Sequence, residues 1–129
     1  MNLSRKISYL ESITSSPREF LFYNISAYRI SQAIGVVTRL GIPTFLKKSP
    51  KTLLELAELC ETDTSNLGRL MYCMVNLGYF DLDENEKFRL NQISELLSED
   101  SENSLAAYAI QSTFDWCWNP WVHLYSVVK

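Results

Sequence analysis

Residues able to do chemistry are few in this chain, and most of them are aromatic. All three tryptophans fall within Phe114-Asp115-Trp116-Cys117-Trp118-Asn119-Pro120-Trp121. Gln111, Phe114, Trp118 and Trp121 follow a three–four alternation, so an unbroken helix sets them on one stripe, with Tyr108 one turn earlier. That stripe is a flat apolar wall with a few polar edges, which suits holding a planar ligand or a partner surface rather than breaking bonds. Packing of the same aromatics on the chain's own core is the competing use. Pro120 disfavours the helical conformation at Asn119 and removes a backbone donor, so the stripe is expected to bend there. His123 is the only histidine and has no acidic neighbour in sequence to orient it as a general base. Cys60, Cys73 and Cys117 are isolated, with no C-x-x-C spacing, and read as reduced packing residues. No catalytic residue, metal ligand or cofactor-binding residue is therefore expected, and Gly35, Gly41, Gly68 and Gly78 are too scattered to form a glycine-rich cofactor turn.

The elements that position this aromatic segment are organised around Thr52–Asn91. Thr52 and Glu55 form a capping-box pattern, and Leu53, Leu56, Ala57 and Cys60 then recur on one helical stripe. Glu61-Thr62-Asp63 breaks it, Asp63 or Thr64 caps a second helix, and Gly78 is the residue suited to end it. Tyr79, Phe80 and Leu82 then face Phe88 and Leu90 across Asp83-Glu84-Asn85-Glu86, the grammar of a hairpin. The expected fold is mainly α, a winged helix-turn-helix with a small β-hairpin wing, preceded by a long helix. Two segments follow: residues 1–16 as an N-terminal helical arm, and residues 17–129 as the winged-helix domain with its aromatic C-terminal helix.

The long helix runs from Pro17 to about Leu40 and is apolar over an unusually wide arc, because Ile30 and Ile34 lie off the stripe traced by Phe20, Ile25, Tyr28 and Val37. One core of a small monomer does not need that much apolar surface. Ile7 and Leu10 in the arm, with Phe20, Ile25, Tyr28, Ile30, Ile34 and Val37, are the expected interface of a homodimer. Beyond the wing, Asn91 caps a short helix holding Ile93, Leu96 and Leu97, and Ser104 or a neighbour starts the helix that carries the aromatics.

Charge removes one class of function. The 129-residue chain carries a net charge of −3. Within Thr52–Asn91, Arg69, Lys87 and Arg89 face Glu55, Glu58, Glu61, Asp63, Asp81, Asp83, Glu84 and Glu86, a local net charge of −5. A winged helix that binds DNA must neutralise phosphates and read bases, and the second helix offers a groove only Arg69. Nucleic acid is not expected as a partner. Neither is a membrane, since no apolar run approaches the length of a spanning helix. The N-terminal stretch has basic residues without an apolar region behind them, which points to a cytoplasmic protein.

Taken together, several segments resemble the N-terminal dimerisation domain of class I S-adenosylmethionine-dependent O-methyltransferases, the group that includes plant phenolic and bacterial polyketide enzymes. AYRISQAIGVVTRLGIPTFL is similar to the family's long dimer helix and its exit. KTLLELAELCETDTSNLGRLMYCMVNLGYF is similar to the helix pair, and FRLNQISELLSED to the exit from the wing. The resemblance implies a dimerisation and substrate-shaping module, with Tyr108, Gln111, Phe114, Trp118 and Trp121 near the acceptor pocket. It also implies that S-adenosylmethionine is bound by a Rossmann-like catalytic domain outside these 129 residues, in the same or another chain. The family's catalytic histidine belongs to that domain and maps onto no residue here. A non-catalytic scaffold or accessory protein is the alternative, and a winged-helix DNA regulator a more distant one. The acidic helix pair gives a direct check: a duplex DNA should migrate unchanged with this protein at low salt, and a gel shift that weakens steeply with added salt would restore the regulator.

Overall fold

A computed structural model describes residues 16–129. The proposed arm and its interface residues Ile7 and Leu10 lie outside the described residues.

Helix α1 (Pro17–Arg39) begins where Ser16 Oγ accepts the Glu19 N–H at 3.2 Å and Pro17 fills the first turn. It ends at Leu40, after which Gly41 takes φ +74° and lets α2 (Ile42–Lys48) turn away. Helix α3 (Leu53–Leu59) carries the capping box read from the sequence. Thr52 Oγ1 accepts the Glu55 N–H at 3.3 Å, and Glu55 Oε2 accepts the Thr52 N–H at 2.7 Å. The bond from the Thr52 N–H favours the carboxylate and holds the Glu55 pKa below its usual value. Because the folded pKa is depressed, this stabilisation is present above the unfolded pKa and fades as pH falls through the folded one.

Helix α4 (Thr64–Asn76) starts with Asp63 Oδ1 accepting the Asn66 N–H at 2.8 Å. Its end is a Schellman motif, in which Tyr79 N–H reaches the Met74 carbonyl and Gly78 N–H the Val75 carbonyl, both at 2.9 Å, with Gly78 at φ +83°. Helix α3 ends in the same way, with Thr62 N–H on the Ala57 carbonyl at 3.0 Å. Its left-handed position is occupied by Glu61 at φ +53° instead of glycine.

The wing is minimal. Strand β1 (Asp81–Leu82) pairs antiparallel with β2 (Phe88–Arg89), Leu82 opposite Phe88, and Lys51 bridges the far edge of Phe88. Asp83 Oδ1 accepts the N–H groups of Asn85 and Lys87 and so shapes the turn. Phe80 and Phe88 pass beneath the wing into the core formed by Val37, Ile42, Leu56, Met71 and Met74. Val37 is 0% exposed, which corrects its assignment to an interface. The last turns of α1 lie against the helix pair, so positions there that share the apolar arc are consumed by the chain's own core.

After the wing, Asn91 Oδ1 accepts the N–H groups of Ile93 and Ser94 and opens a 3-10 turn (Ser94–Leu97). Its Nδ2 donates to the Gly78 carbonyl at 3.0 Å and to Asp81 Oδ1 at 3.2 Å, tying that turn to the end of α4 and to the wing. The C-terminal segment departs from the continuous helix expected. It forms α5 (Ala106–Gln111), α6 (Asp115–Val122) and α7 (Leu124–Val128). The hydroxyls of Ser112 and Thr113 each donate back to the third preceding carbonyl at 2.7 Å, and Phe114 is extended at ψ 145°. Consecutive side chains that compete for backbone acceptors end α5 there. Pro120 lies inside α6, which continues past it to Val122, so the stripe breaks at Phe114 rather than at Asn119.

Helix α5 packs on α1 by close backbone approach at Gly35. A Cβ on Gly35 would overlap the Thr113 methyl and lie 2.9 Å from the Ala109 carbonyl oxygen. Gly→Ala within a helix ordinarily gains up to about 1 kcal/mol. Here overpacking against backbone should cost about 1–3 kcal/mol, so Gly35→Ala should lower the melting temperature; a higher one would show that α5 yields freely.

Candidate functional site: an apolar groove beside the long helix

Between α1, the 3-10 turn and α5 lies a groove of about 470 Å³. One wall is the α1 line Tyr23, Ala27, Ile30 and Ile34, a strict helical stripe whose smallest members are Ala27 and, one step aside, Ser31. Ile93, Leu96 and Leu97 come from the 3-10 turn and its cap, Leu105, Tyr108, Ala109 and Ser112 from the α5 region, and Tyr79 from just past the end of α4. Each wall is placed by a feature already described: α5 by its approach to Gly35, and the 3-10 turn by Asn91. The lining is aliphatic and aromatic with hydroxyls at its margins, the composition of a surface that takes up apolar groups.

Among the residues expected to face a ligand or partner, Tyr108 alone lines the groove, 73% exposed at its rim. Gln111 is exposed elsewhere on α5. Phe114 lies under the Arg39 guanidinium, 5.5 Å from the ring centroid, while Arg39 Nη1 donates to Thr113 Oγ1 at 3.3 Å. Trp118 is half-buried against Tyr28, ring centroids 6.2 Å apart and tilted by 46°. Trp121 stands 67% exposed on α6. The break at Phe114 thus splits one imagined wall, with Phe114 and Trp118 making separate contacts with α1 and Gln111 and Trp121 left exposed.

Of the expected interface positions, Phe20, Ile25 and Tyr28 are exposed, while Ile30 and Ile34 line the groove. Of the lining, only Ile30, Ile34 and Tyr108 are expected at a site or interface; sequence reasoning missed Tyr23, Ala27, Ser31, Tyr79, Ile93, Leu96, Leu97, Leu105, Ala109 and Ser112. The spacing of 23, 27, 30 and 34 is a signal for the first two; the remainder need the tertiary fold. Exposed Leu21 and Phe22 extend the apolar start of α1.

The described lining of the groove carries hydroxyls but no carboxylate, imidazole or thiol. Cys60 donates its S–H to the Leu40 carbonyl at 3.4 Å, and burial pushes its pKa up, so the thiol stays protonated. His123 is exposed between α6 and α7. Asp100 has its pKa lowered, first by the Ser98 hydroxyl at 2.6 Å and then by Lys47 at 3.3 Å, a set of contacts that fastens the loop before α5 to α2. Among the described residues no cluster of three His, Cys, Asp or Glu is placed to hold a metal, and no helix is long and apolar enough to cross a membrane.

The family model of the O-methyltransferase dimerisation domain matches residues 23–100. The chain belongs to that family. The matched span contains the inner line of α1, the helix pair, the wing and the 3-10 turn. Among individual relatives, this dimerisation domain is 31% identical over 100 residues to mitomycin biosynthesis 6-O-methyltransferase of Streptomyces lavendulae, covering 77% of this chain and 29% of the relative. It is 34% identical over 87 residues to O-methyltransferase 10 of Dictyostelium discoideum, covering 62% and 20%. Among solved structures, mitomycin 7-O-methyltransferase MmcR superposes with a TM-score of 0.79 at 27% identity, over 91% of this chain and 35% of that one. LaPhzM superposes at 0.80 with 23% identity, over 88% and 34%, a likeness of fold. The chain spans about a third or less of the length of each.

The split aromatic segment makes a graded prediction. Trp118→Ala should cost about 1 kcal/mol, the scale of one exposed aromatic pair, whereas Phe80→Ala should cost about 3–5 kcal/mol. Equal losses in denaturant melts would make Trp118 a core residue and end its candidacy as a partner-facing one.

Proposed function

We propose that this domain pairs two copies of an S-adenosylmethionine-dependent O-methyltransferase and shapes the side of the acceptor site, while a catalytic domain in the same or another chain binds the cofactor and transfers the methyl group. Membership of a dimerisation-domain family makes self-association its business. The observation that carries the pairing is the surface of α1. Along its first turns Phe20, Leu21, Phe22, Ile25 and Tyr28 are all exposed, and farther along it opens onto an apolar groove. Contiguous apolar surface on this scale marks a protein contact.

Support for a shaping role comes from the C-terminal aromatics. Tyr108, Phe114, Trp118 and Trp121, in the segment that runs from α5 through α6, are all at least partly exposed. A planar aromatic acceptor is the substrate class that such rings accommodate best. Mitomycin biosynthesis 6-O-methyltransferase, O-methyltransferase 10 and mitomycin 7-O-methyltransferase MmcR are O-methyltransferases by name, and the reaction class proposed here follows theirs.

Two measurements test this. Light scattering of the isolated chain at tens of micromolar should report twice the chain mass, and a monomer would overturn the pairing. Calorimetry of the same sample with S-adenosylmethionine should show no binding, and a micromolar Kd would return the cofactor to this domain.

A further inference from the structure

We propose that the groove is the seat of a second copy of this chain, filled by Phe20 of that copy resting on Ala27 and Ser31, with the same contact repeated about a two-fold axis. This rests on the self-association proposed above and specifies where and how it occurs.

The argument begins with position on the helix. At 100° per residue, Phe20 falls on the same face of α1 as Tyr23, Ala27, Ile30 and Ile34. It lies beyond the end of the groove they line and is 55% exposed. A two-fold contact between two copies of one helix must use the same face of both, because the operation that carries one helix to the other also carries its contact face. Phe22 and Ile25, on the far side of α1, therefore cannot enter the groove of a two-fold mate, whereas Phe20 can.

Size agrees with position. The line reads large, then small, then large. Phe20 and Tyr23 come first, Ala27 and Ser31 follow one turn apart, and Ile30 and Ile34 bound them. In an antiparallel pair whose axis crosses α1 between Tyr23 and Ile25, the large end of each helix lies over the small middle of the other, a protrusion placed in a hole. Tyr23 to Ile34 spans about 16 Å at a rise of 1.5 Å per residue. That length matches the first turns of a second α1 laid along it. A different protein in the groove would leave Phe20 uncovered, while a second copy covers both Phe20 side chains and both grooves.

Phe20→Lys and Ala27→Glu provide the test, read by light scattering on the whole chain. Each variant alone should be monomeric at a concentration where the unmodified chain is dimeric, with circular dichroism confirming the fold. Mixed in equal amounts they should recover a heterodimer, since one seat then pairs Lys with Glu and the other is unaltered. If Ala27→Glu fails to fold, Ser31→Glu takes its place. Single variants that remain dimeric, or a mixture that stays monomeric, would overturn the proposal while leaving self-association standing. A monomeric unmodified chain would instead overturn self-association itself. A small apolar ligand as occupant is the remaining outcome. Bright, saturable 8-anilinonaphthalene-1-sulfonate fluorescence at one probe per chain in the unmodified dimer would show the groove open and overturn the proposal.

Discussion

The absence of one methyl group at Gly35 sets the rest of this structure. Because α1 offers no Cβ there, the backbone of α5 comes close enough for its Ala109 carbonyl and Thr113 methyl to rest on the helix. That approach fixes α5, and with it the outer wall of the groove. Arg39 strengthens the same contact one turn later by reaching Thr113 and covering Phe114. The helix is thus held firmly along its C-terminal half. Along its N-terminal half Phe20, Leu21, Phe22 and Ile25 present apolar side chains outward.

A second constraint acts through polar groups. Asn91 spends its side-chain amide on the end of α4 and on Asp81, and its side-chain oxygen on the start of the 3-10 turn. One residue so ties together the end of α4, the first strand of the wing and the 3-10 turn. Lys47, Asp100 and Ser98 do similar work at the loop before α5, at the protein surface where such pairs are individually weak. The groove is therefore framed by backbone packing on one side and by side-chain amide bonds on the other.

Local chemistry was the legible part of the sequence. Thr52 with Glu55, and Asp63, begin helices as expected, and Gly41 and Gly78 end them, because a cap is decided within a few residues. The wing was legible for the same reason, through Phe80, Phe88 and the Asp83 turn. Two features were not. Val37 shares its periodicity with the exposed positions of α1, and only the arrival of the helix pair beside it makes it core. The break at Ser112-Thr113-Phe114 turns on two hydroxyls choosing backbone acceptors, a choice that helical spacing of the apolar residues cannot reveal. The groove combines both difficulties, since half of its lining comes from segments some seventy residues away from α1.

The uneven anchoring of α1 also affects how the domain melts. A helix packed closely at Gly35 and exposing Phe20, Leu21 and Phe22 near its start opens more easily from that start, so amide exchange should be slow near Gly35 and quicken toward Pro17. Association that covers those first turns adds their ordering to the cooperative unit, and the entropy they lose is then offset by the contact. Folding and pairing become one equilibrium. The midpoint of unfolding is then a function of protein concentration, and a dilute sample of this domain is a less stable one.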